Sequence, residues 1–486
     1  MNNGDSCSAL FTDFYSLTMA QGYWKTGMKG LSVFEMFFRK HPFGGGFSIF
    51  AGLGTLLERL TRLSFSDEDI SYLKSLNLFE DGFLEHLRNF RFTGSLWALD
   101  EGTVIFPNEP LIRIEGNILE CQIIEGMLLN TINFQSLIAT KTARVALASG
   151  KGALMEFGLR RAQGSDGALS ASRAAYIGGA QGTSNVLAGK TFGIPVMGTM
   201  AHAWIMAFPD EETAFQTYAD IYPENSIFLI DTYDTLKSGI LNAIKAGKKL
   251  ALKGKNFGVR LDSGDIHYLS VEVRKILDRE GLVKASISVS NDLDEYIVQT
   301  LTNAGAPIDV WGVGTQMITG GNEAAFTGVY KLAARDSGKG RLEAVMKFSD
   351  HPEKTTNPGI KQVWRIRDGQ GMFVADVLAL DDEEVAEIIE EGKTYTFWHP
   401  SADYRNFSHT VTGSARPLLQ KRLVDGNLID GTSCPLAEVK KTVQEELESL
   451  DNSYKRLLNP HIYKVSITEA LRDIKLDLIK THKRNF

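Results

Sequence analysis

His202 stands in GTMAHAW, three residues after Thr199 and just beyond the apolar run IPVMG. A neutral imidazole nitrogen can attack a phosphoryl group, and the phosphorylated ring stores the energy of the bond that was broken. A histidine in apolar surroundings can equally be a hydrogen-bonded core residue. Arg260 and Asp262 in FGVRLDSGD are one residue apart at the end of another apolar run, so both side chains can leave the same rim. An ionised carboxylate accepts two hydroxyl hydrogen bonds, which suits a vicinal diol, and a guanidinium offers a fork to a planar carboxylate. The bland reading is a surface ion pair. Arg160 and Arg161 in EFGLRR, Asp231 in LIDTYD, Asn291 in VSND, and Gly312, Gly314 and Thr315 in WGVGTQ complete the set. Glycines let backbone N–H groups approach anionic oxygen, and a threonine hydroxyl adds a neutral donor. Ordinary turns would account for the same glycines.

All of these residues close short apolar runs: ALMEFG (153 to 158), IPVMG (194 to 198), IFLID (227 to 231), FGVRLD (257 to 262), SISVS (286 to 290) and VWGVG (310 to 314). The last five begin 33, 30, 29 and 24 residues apart, which leaves room for a helix between each pair. TLKSGILNAIKAGKK places Leu236, Ile240, Leu241 and Ile244 on one helical face, and IHYLSVEVRKILDREG carries a similar stripe. This is a βα repeat, and it predicts an α/β fold with a parallel sheet whose strand ends gather at one face. Imidazole, guanidinium, carboxylate and amide groups on that face are the arrangement of an enzyme. No GxGxxG follows the first strand, so an irregular, incomplete β/α barrel is favoured over an open dinucleotide-binding sheet.

Outside this region, Asp13 to Gly22 reads as a helix with Asp13 as a cap, followed by a strand at SVFEMFF. Arg39 and Lys40 then precede a triple glycine in RKHPFGGGF, either a surface turn or an anion contact. GVYKLAA, LEAVMKFS, KQVWRIR and MFVADVLAL read as strands returning to the first domain. A helix is expected from about Leu436 to Leu458, with Val439, Val443, Leu447, Leu450 and Tyr454 on its apolar side. The domains expected are an N-terminal α/β domain over 1–135 completed by 327–410, a catalytic barrel over 136–326, and a small C-terminal helical appendage over 411–486. VLALDDEE (377 to 384) has the apolar-run-then-acids form of a phosphoribosyl-binding loop, but EVAEII after it continues as a helix, so it reads as a helix start.

The 43% hydrophobic and 23% charged residues are those of a globular chain, which makes disorder over most of the length untenable. Fifty-two basic and 59 acidic residues leave a formal charge of −7, and there is no long basic run, so neither nucleic acid nor an anionic membrane is an expected partner. Cys7, Cys121 and Cys434 form no CxxC pair, and no apolar stretch approaches the length of a membrane span; a soluble cytoplasmic protein is expected.

TDFYSLTMAQGYW, EFGLRRAQGSDGALSASRAAYIGGAQGTSN, GTMAHAW, VRLDSGD, VSNDLDE, GVGTQ and KTTNPGIKQVWR occur in this order, and over residues 12 to 366 the chain resembles the nicotinate phosphoribosyltransferases. The resemblance implies transfer of phosphoribosyl from phosphoribosyl pyrophosphate to nicotinate. The products are nicotinate mononucleotide and pyrophosphate, and the transfer is coupled to ATP hydrolysis in the first step of NAD salvage. It also implies Mg²⁺ (or Mn²⁺) and a homodimer with shared active sites.

Carried onto this sequence, the resemblance makes His202 the phosphohistidine, Asp262 a ribose ligand and Arg260 a nicotinate ligand. Phe157 and Tyr15 of the other subunit would sandwich the pyridine ring. Arg160, or Arg161 in its place, would reach phosphate, Asp231 would lie near ribose and diphosphate, and Arg39 and Lys40 would neutralise pyrophosphate or ATP. Thr199, Gly312, Gly314 and Thr315 are expected on anionic oxygens. Ser184 in GAQGTSN takes the place of an aspartate in the related nicotinamide enzymes, and it can donate to a carboxylate without a like charge. No metal-ligating residue is expected by name, because Mg²⁺ keeps much of its water. Three alternatives stay open: a nicotinamide phosphoribosyltransferase, opposed by Ser184; a quinolinate phosphoribosyltransferase, opposed by GTMAHAW; and a non-catalytic nucleotide-binding regulator.

Overall fold

The computed structural model describes residues 8–486 except 339–340, 350–354, 384, 386–393, 403–404, 411–412, 433 and 485–486. The chain divides into two compact units, one of Met1–Leu137 with Ala325–Phe486 and one of Ile138–Ala324.

The unit Ile138–Ala324 is built on six parallel strands. Their order across the sheet is Gly182–Thr183, Ala153–Glu156, Val310–Val313, Ser286–Asn291, Phe257–Leu261 and Ser226–Leu229. Strand residues such as Leu154, Phe228, Val259, Leu261, Ile287, Val289 and Trp311 are buried, as expected of strands covered on both faces. Helices Glu211–Ile221, Ile240–Leu252, Ile266–Arg279 and Glu295–Asn303 return the chain between strands. Asp265 and Asp294 cap two of them by accepting backbone N–H groups, which starts each helix directly after its strand.

Two departures from the expected pattern have local causes. IPVMG is not a regular strand: Pro195 has no N–H to donate, and Val196 forms only an isolated bridge to Thr183. The carbonyl of Pro195 accepts from the Thr183 N–H at 3.0 Å, and the Met197 N–H donates to the Thr183 carbonyl at 2.9 Å. Two residues after Met197, the Thr199 hydroxyl donates to the Ile227 carbonyl on the strand at the opposite edge. Residues 195–199 therefore span the gap between the two edges, and the sheet curls into a half-barrel closed by irregular backbone. The second departure is Leu241, which is 47% exposed although Ile240 and Ile244 are buried. A π-helical turn, Thr235–Gly239, precedes this helix, and a Cβ on Gly239 would lie 1.9 Å from the Ile230 carbonyl oxygen. That close approach rotates the helix so that its inner face is Ile240, Ala243, Ile244, Gly247 and Leu250.

The other unit holds a seven-stranded sheet in which Leu31–Phe38 lies between Gly328–Asp336 and Ile112–Asn117, antiparallel to both. Its core gathers Phe34, Met36 and Phe38 with Leu56, Leu57 and Leu60 of helix Leu53–Arg62. A second, six-stranded sheet pairs Lys361–Arg367 with Phe373–Leu380. Lys361 is buried, paired with Glu35 at 2.8 Å, and donates to the carbonyls of Asn357 and Gly359, so the TNPG turn is tied to strand Leu31–Phe38.

Residues 411–486 differ from a helical appendage. Ser414–Pro417, Gln420–Val424 and Val465–Ile467 are strands of the two sheets, and the segment belongs to the same compact unit as Met1–Leu137. These strands are short, and SARP and VSI carry too few residues for a period-two pattern to register. The expected helix ends at Glu448, and a separate turn Asn452–Lys455 follows the cap Asp451. The expected helix start after VLAL falls largely on residues outside those described. Among the described residues, no helix is long and apolar enough to cross a membrane.

Candidate active site

At the carboxyl ends of the parallel strands the side chains form a connected polar array. Arg260 leaves strand Phe257–Leu261 and donates from Nε to the Ser290 hydroxyl at 2.9 Å and from one Nη to Asp262 at 3.0 Å. A third N–H points at the Met200 carbonyl, 3.4 Å away. Ser290 also donates to Asp262, so a serine on the next strand locks the Arg260–Asp262 pair. Half-burial opposes the charge on Asp262, yet the Ser290 hydroxyl, Arg260 and His202 together hold its carboxyl below the usual carboxylate range. His202 opens helix His202–Met206; its Nδ1 is 3.0 Å from the Thr232 hydroxyl and its Nε2 is 3.8 Å from Asp262. Asp231 accepts from the Asp262 N–H at 3.1 Å and the Ser263 hydroxyl at 2.5 Å, while its Oδ1 is buried with no hydrogen-bond partner.

The aromatic side of the site depends on a glycine. Phe157 follows strand Ala153–Glu156, and its ring lies over Gly312 of the neighbouring strand, where a Cβ would come within 2.6 Å of it. The ring reaches to 6.0 Å from the Arg260 guanidinium carbon. Gly312 therefore makes room for an aromatic ring. Gly314 lies against the Phe157 carbonyl, where a Cβ would stand 3.2 Å from the oxygen, and Thr315 begins the short helix Thr315–Ile318. Ser184 is half-buried at the end of strand Gly182–Thr183, its N–H bonded to the Glu156 carbonyl at 2.9 Å. Arg160 and Arg161 are both exposed in a turn, and nothing in their geometry chooses between them.

The Thr199 hydroxyl donates to the Ile227 carbonyl, so in this structure the residue closes the half-barrel. Ser290, Thr232 and Ser263 belong to the array, and none stands out in the sequence. A serine or threonine carries no distinctive chemistry as a letter, and the period-two alternation linking Ser286, Ser288 and Ser290 was the one available signal.

Three expected residues lie in the other unit. Tyr15 is on helix Phe14–Lys25, 48% exposed, with its hydroxyl pushed up to about 12 by partial burial and by the carboxylates of Glu125 and Asp13. Arg39 has its guanidinium 5.8 Å from the Phe37 ring centroid. Lys40 is exposed and lines a cavity of about 400 Å³ with His41, the glycines Gly44 to Gly46, Phe106 and Tyr463.

A parallel half-barrel with a guanidinium and two carboxylates at its strand ends, and an imidazole opening the helix that follows the irregular closing segment, has the form of a catalytic β/α-barrel protein. Family models for the nicotinate phosphoribosyltransferase N-terminal domain, the nicotinate phosphoribosyltransferase family and its C-terminal domain match residues 10–133, 153–357 and 360–475. The chain belongs to the nicotinate phosphoribosyltransferase family. It is 41% identical to the nicotinate phosphoribosyltransferase of Bacillus subtilis over 477 residues, covering 98% of this chain and 96% of that one. To the Homo sapiens enzyme of that name it is 34% identical over 522 residues, covering 95% of each. The crystal structure of human nicotinic acid phosphoribosyltransferase superposes with a TM-score of 0.83 at 31% identity, over 96% of this chain and 99% of that one. The nicotinate-nucleotide pyrophosphorylase of Pyrococcus furiosus, at 22% identity and a TM-score of 0.69 over 92% and 97% of the two chains, shares the fold.

Proposed function

We propose that this chain joins nicotinate to phosphoribosyl pyrophosphate, forming nicotinate mononucleotide and pyrophosphate, and that it couples the reaction to ATP hydrolysis through His202. The observation that carries the reading is the cluster of His202, Asp262 and Arg260 at the carboxyl face of the parallel sheet. Nδ1 of His202 is 3.0 Å from the Thr232 hydroxyl, and the tautomer that donates from Nδ1 to Thr232 leaves Nε2 with the lone pair the attack needs. Attack on the γ-phosphorus of ATP forms the N–P bond as the bridging P–O bond breaks and ADP leaves; water later releases phosphate from the ring. Asp262, held ionised, suits the ribose hydroxyls, and Arg260, fixed by Ser290, suits the nicotinate carboxylate.

In the transfer itself the pyridine nitrogen bonds to the anomeric carbon as the carbon–oxygen bond breaks and its electron pair leaves with pyrophosphate. No base is needed, so the chain's part is positioning and stabilising the developing charge. Arg160 or Arg161, Arg39 and Lys40 are the cations for that task, with Tyr15 supplied by a second subunit of a homodimer. Mg²⁺ carried on diphosphate oxygens needs few protein ligands, and Asp231 Oδ1 offers a buried oxygen without a hydrogen-bond partner. When bound, the ion would neutralise diphosphate charge.

Incubation with nicotinate, phosphoribosyl pyrophosphate and Mg²⁺, with and without ATP, tests the reading. Mononucleotide is expected, with ATP raising its yield, and His202→Ala is expected to lose the ATP effect. Absence of mononucleotide under both conditions defeats the enzyme reading, coupling that survives in His202→Ala defeats the histidine's role, and a higher kcat/KM for nicotinamide than for nicotinate defeats the role of Ser184.

A further inference from the structure

Glu156 ends the strand that delivers Phe157 and is fully buried in the half-barrel. Its carboxylate accepts from three neutral donors on three separate pieces of chain. Oε1 takes the N–H of Gly158, and Oε2 takes the hydroxyls of Thr183 and of Ser172, the latter at 2.9 Å. The network continues through Asn185, whose N–H donates to Thr183 at 2.9 Å and whose amide donates to Ser172 at 3.2 Å. The Glu156 carbonyl takes the Ser184 N–H. The two turns joined through this one residue are 157–158, which carries the Phe157 ring, and 183–185, which carries Ser184. On its far side the first turn is held by the wall of Ile318, against which a Cβ on Gly158 would stand at 2.5 Å.

We propose that Glu156 is a positioning residue for pyridine selectivity: it sets the Ser184 hydroxyl relative to the Phe157 ring and so fixes how well the site separates nicotinate from nicotinamide. This rests on the proposed activity and deepens it. The carboxylate matters as an acceptor at both oxygens. In Glu156→Gln one oxygen still accepts from Gly158, so the Phe157 turn holds. The new NH₂ group then faces Thr183 and Ser172, which already accept from Asn185. Ser172 can turn its proton to the Ala168 carbonyl, 3.0 Å away, but Thr183 has no such second acceptor in the network, and the 183–185 turn loosens.

The test uses full-length wild type, Glu156→Gln and Ser172→Ala, each assayed with nicotinate and nicotinamide at saturating phosphoribosyl pyrophosphate, with thermal unfolding alongside. The ratio of kcat/KM values for nicotinate over nicotinamide is expected to fall about tenfold in Glu156→Gln, through a raised KM for nicotinate, while kcat and the KM for phosphoribosyl pyrophosphate hold. Ser172→Ala, which leaves Thr183 and Gly158 paired, is expected to lower the ratio by a smaller factor. An unchanged ratio in a folded Glu156→Gln overturns the proposal. So does an equal fall in kcat with all substrates, which a merely structural role would give. Should Glu156→Gln not fold, an unchanged ratio in Ser172→Ala overturns it. Failure of the wild type to make any mononucleotide would instead strike the underlying activity.

Discussion

Gly312→Ala puts the geometry of the aromatic side to a quantitative test. The new methyl would stand 2.6 and 2.7 Å from two carbons of the Phe157 ring, whereas carbon atoms rest at about 3.5–4.0 Å. The ring must therefore yield by about 1 Å. Gly312 lies in regular strand and is not among the residues with positive φ, so alanine brings no backbone strain there. Overpacking of this kind costs about 1–3 kcal/mol, and a substrate-positioning group displaced by 1 Å can cost about 100-fold in rate. A loss of about 10- to 100-fold in kcat/KM for nicotinate is expected, with the fold retained. The assay is a double-mutant cycle of Gly312→Ala with Phe157→Ala. Once the ring is gone the methyl has nothing to displace, so the second substitution should add little, and the coupling should exceed about 1 kcal/mol. An equal Gly312→Ala penalty in both backgrounds would refute the reasoning that the glycine exists for the ring.

Ser290→Ala removes the hydroxyl that bridges Arg260 and Asp262, so kcat/KM for nicotinate should fall about tenfold. Because Asp262 is held below its usual value, its charge is lost only as pH falls through that lowered pKa; in Ser290→Ala the loss should begin at higher pH, which an acid-side activity profile reads. The Tyr15 hydroxyl should ionise near pH 12, as the ultraviolet difference between wild type and Tyr15→Phe would report. Its folded pKa lies above the unfolded value of about 10, so the unfolded state sheds its proton first and this residue's contribution to stability is lost as pH rises from about 10 to 12. Cys121, fully buried with its thiol pushed up to about 12, should resist a thiol reagent until the protein unfolds, whereas exposed Cys434 should react in the native state; mass mapping after labelling distinguishes them.

Much of the reactive array was legible in the residues alone. His202, Asp231, Arg260 and Asp262 fall where the βα repeat requires the strand ends to be, and their side chains meet in the folded unit. Phe157 was expected as an aromatic partner, but its ring lying over Gly312 is a cross-strand fact that neither stretch carries by itself. The Thr199 hydroxyl likewise donates to a carbonyl 28 positions further along the chain, a contact that its own segment does not announce.

Local pattern alone was enough for the class of fold, because apolar runs spaced by amphipathic helices admit few arrangements other than a parallel sheet, and a side chain closing such a run emerges at one face. The motif order was enough to suggest the family. What depended on the folded chain was the half-barrel's closure, the hydrogen bonds of Ser290 and Glu156, and the packing of the Phe157 ring over Gly312. Each is a contact between segments distant in sequence, in which a residue's importance comes from what packs against it and leaves no periodicity in its own neighbourhood. The same holds at 411–486, where strands of three to five residues take their places in sheets whose other members lie far away along the chain.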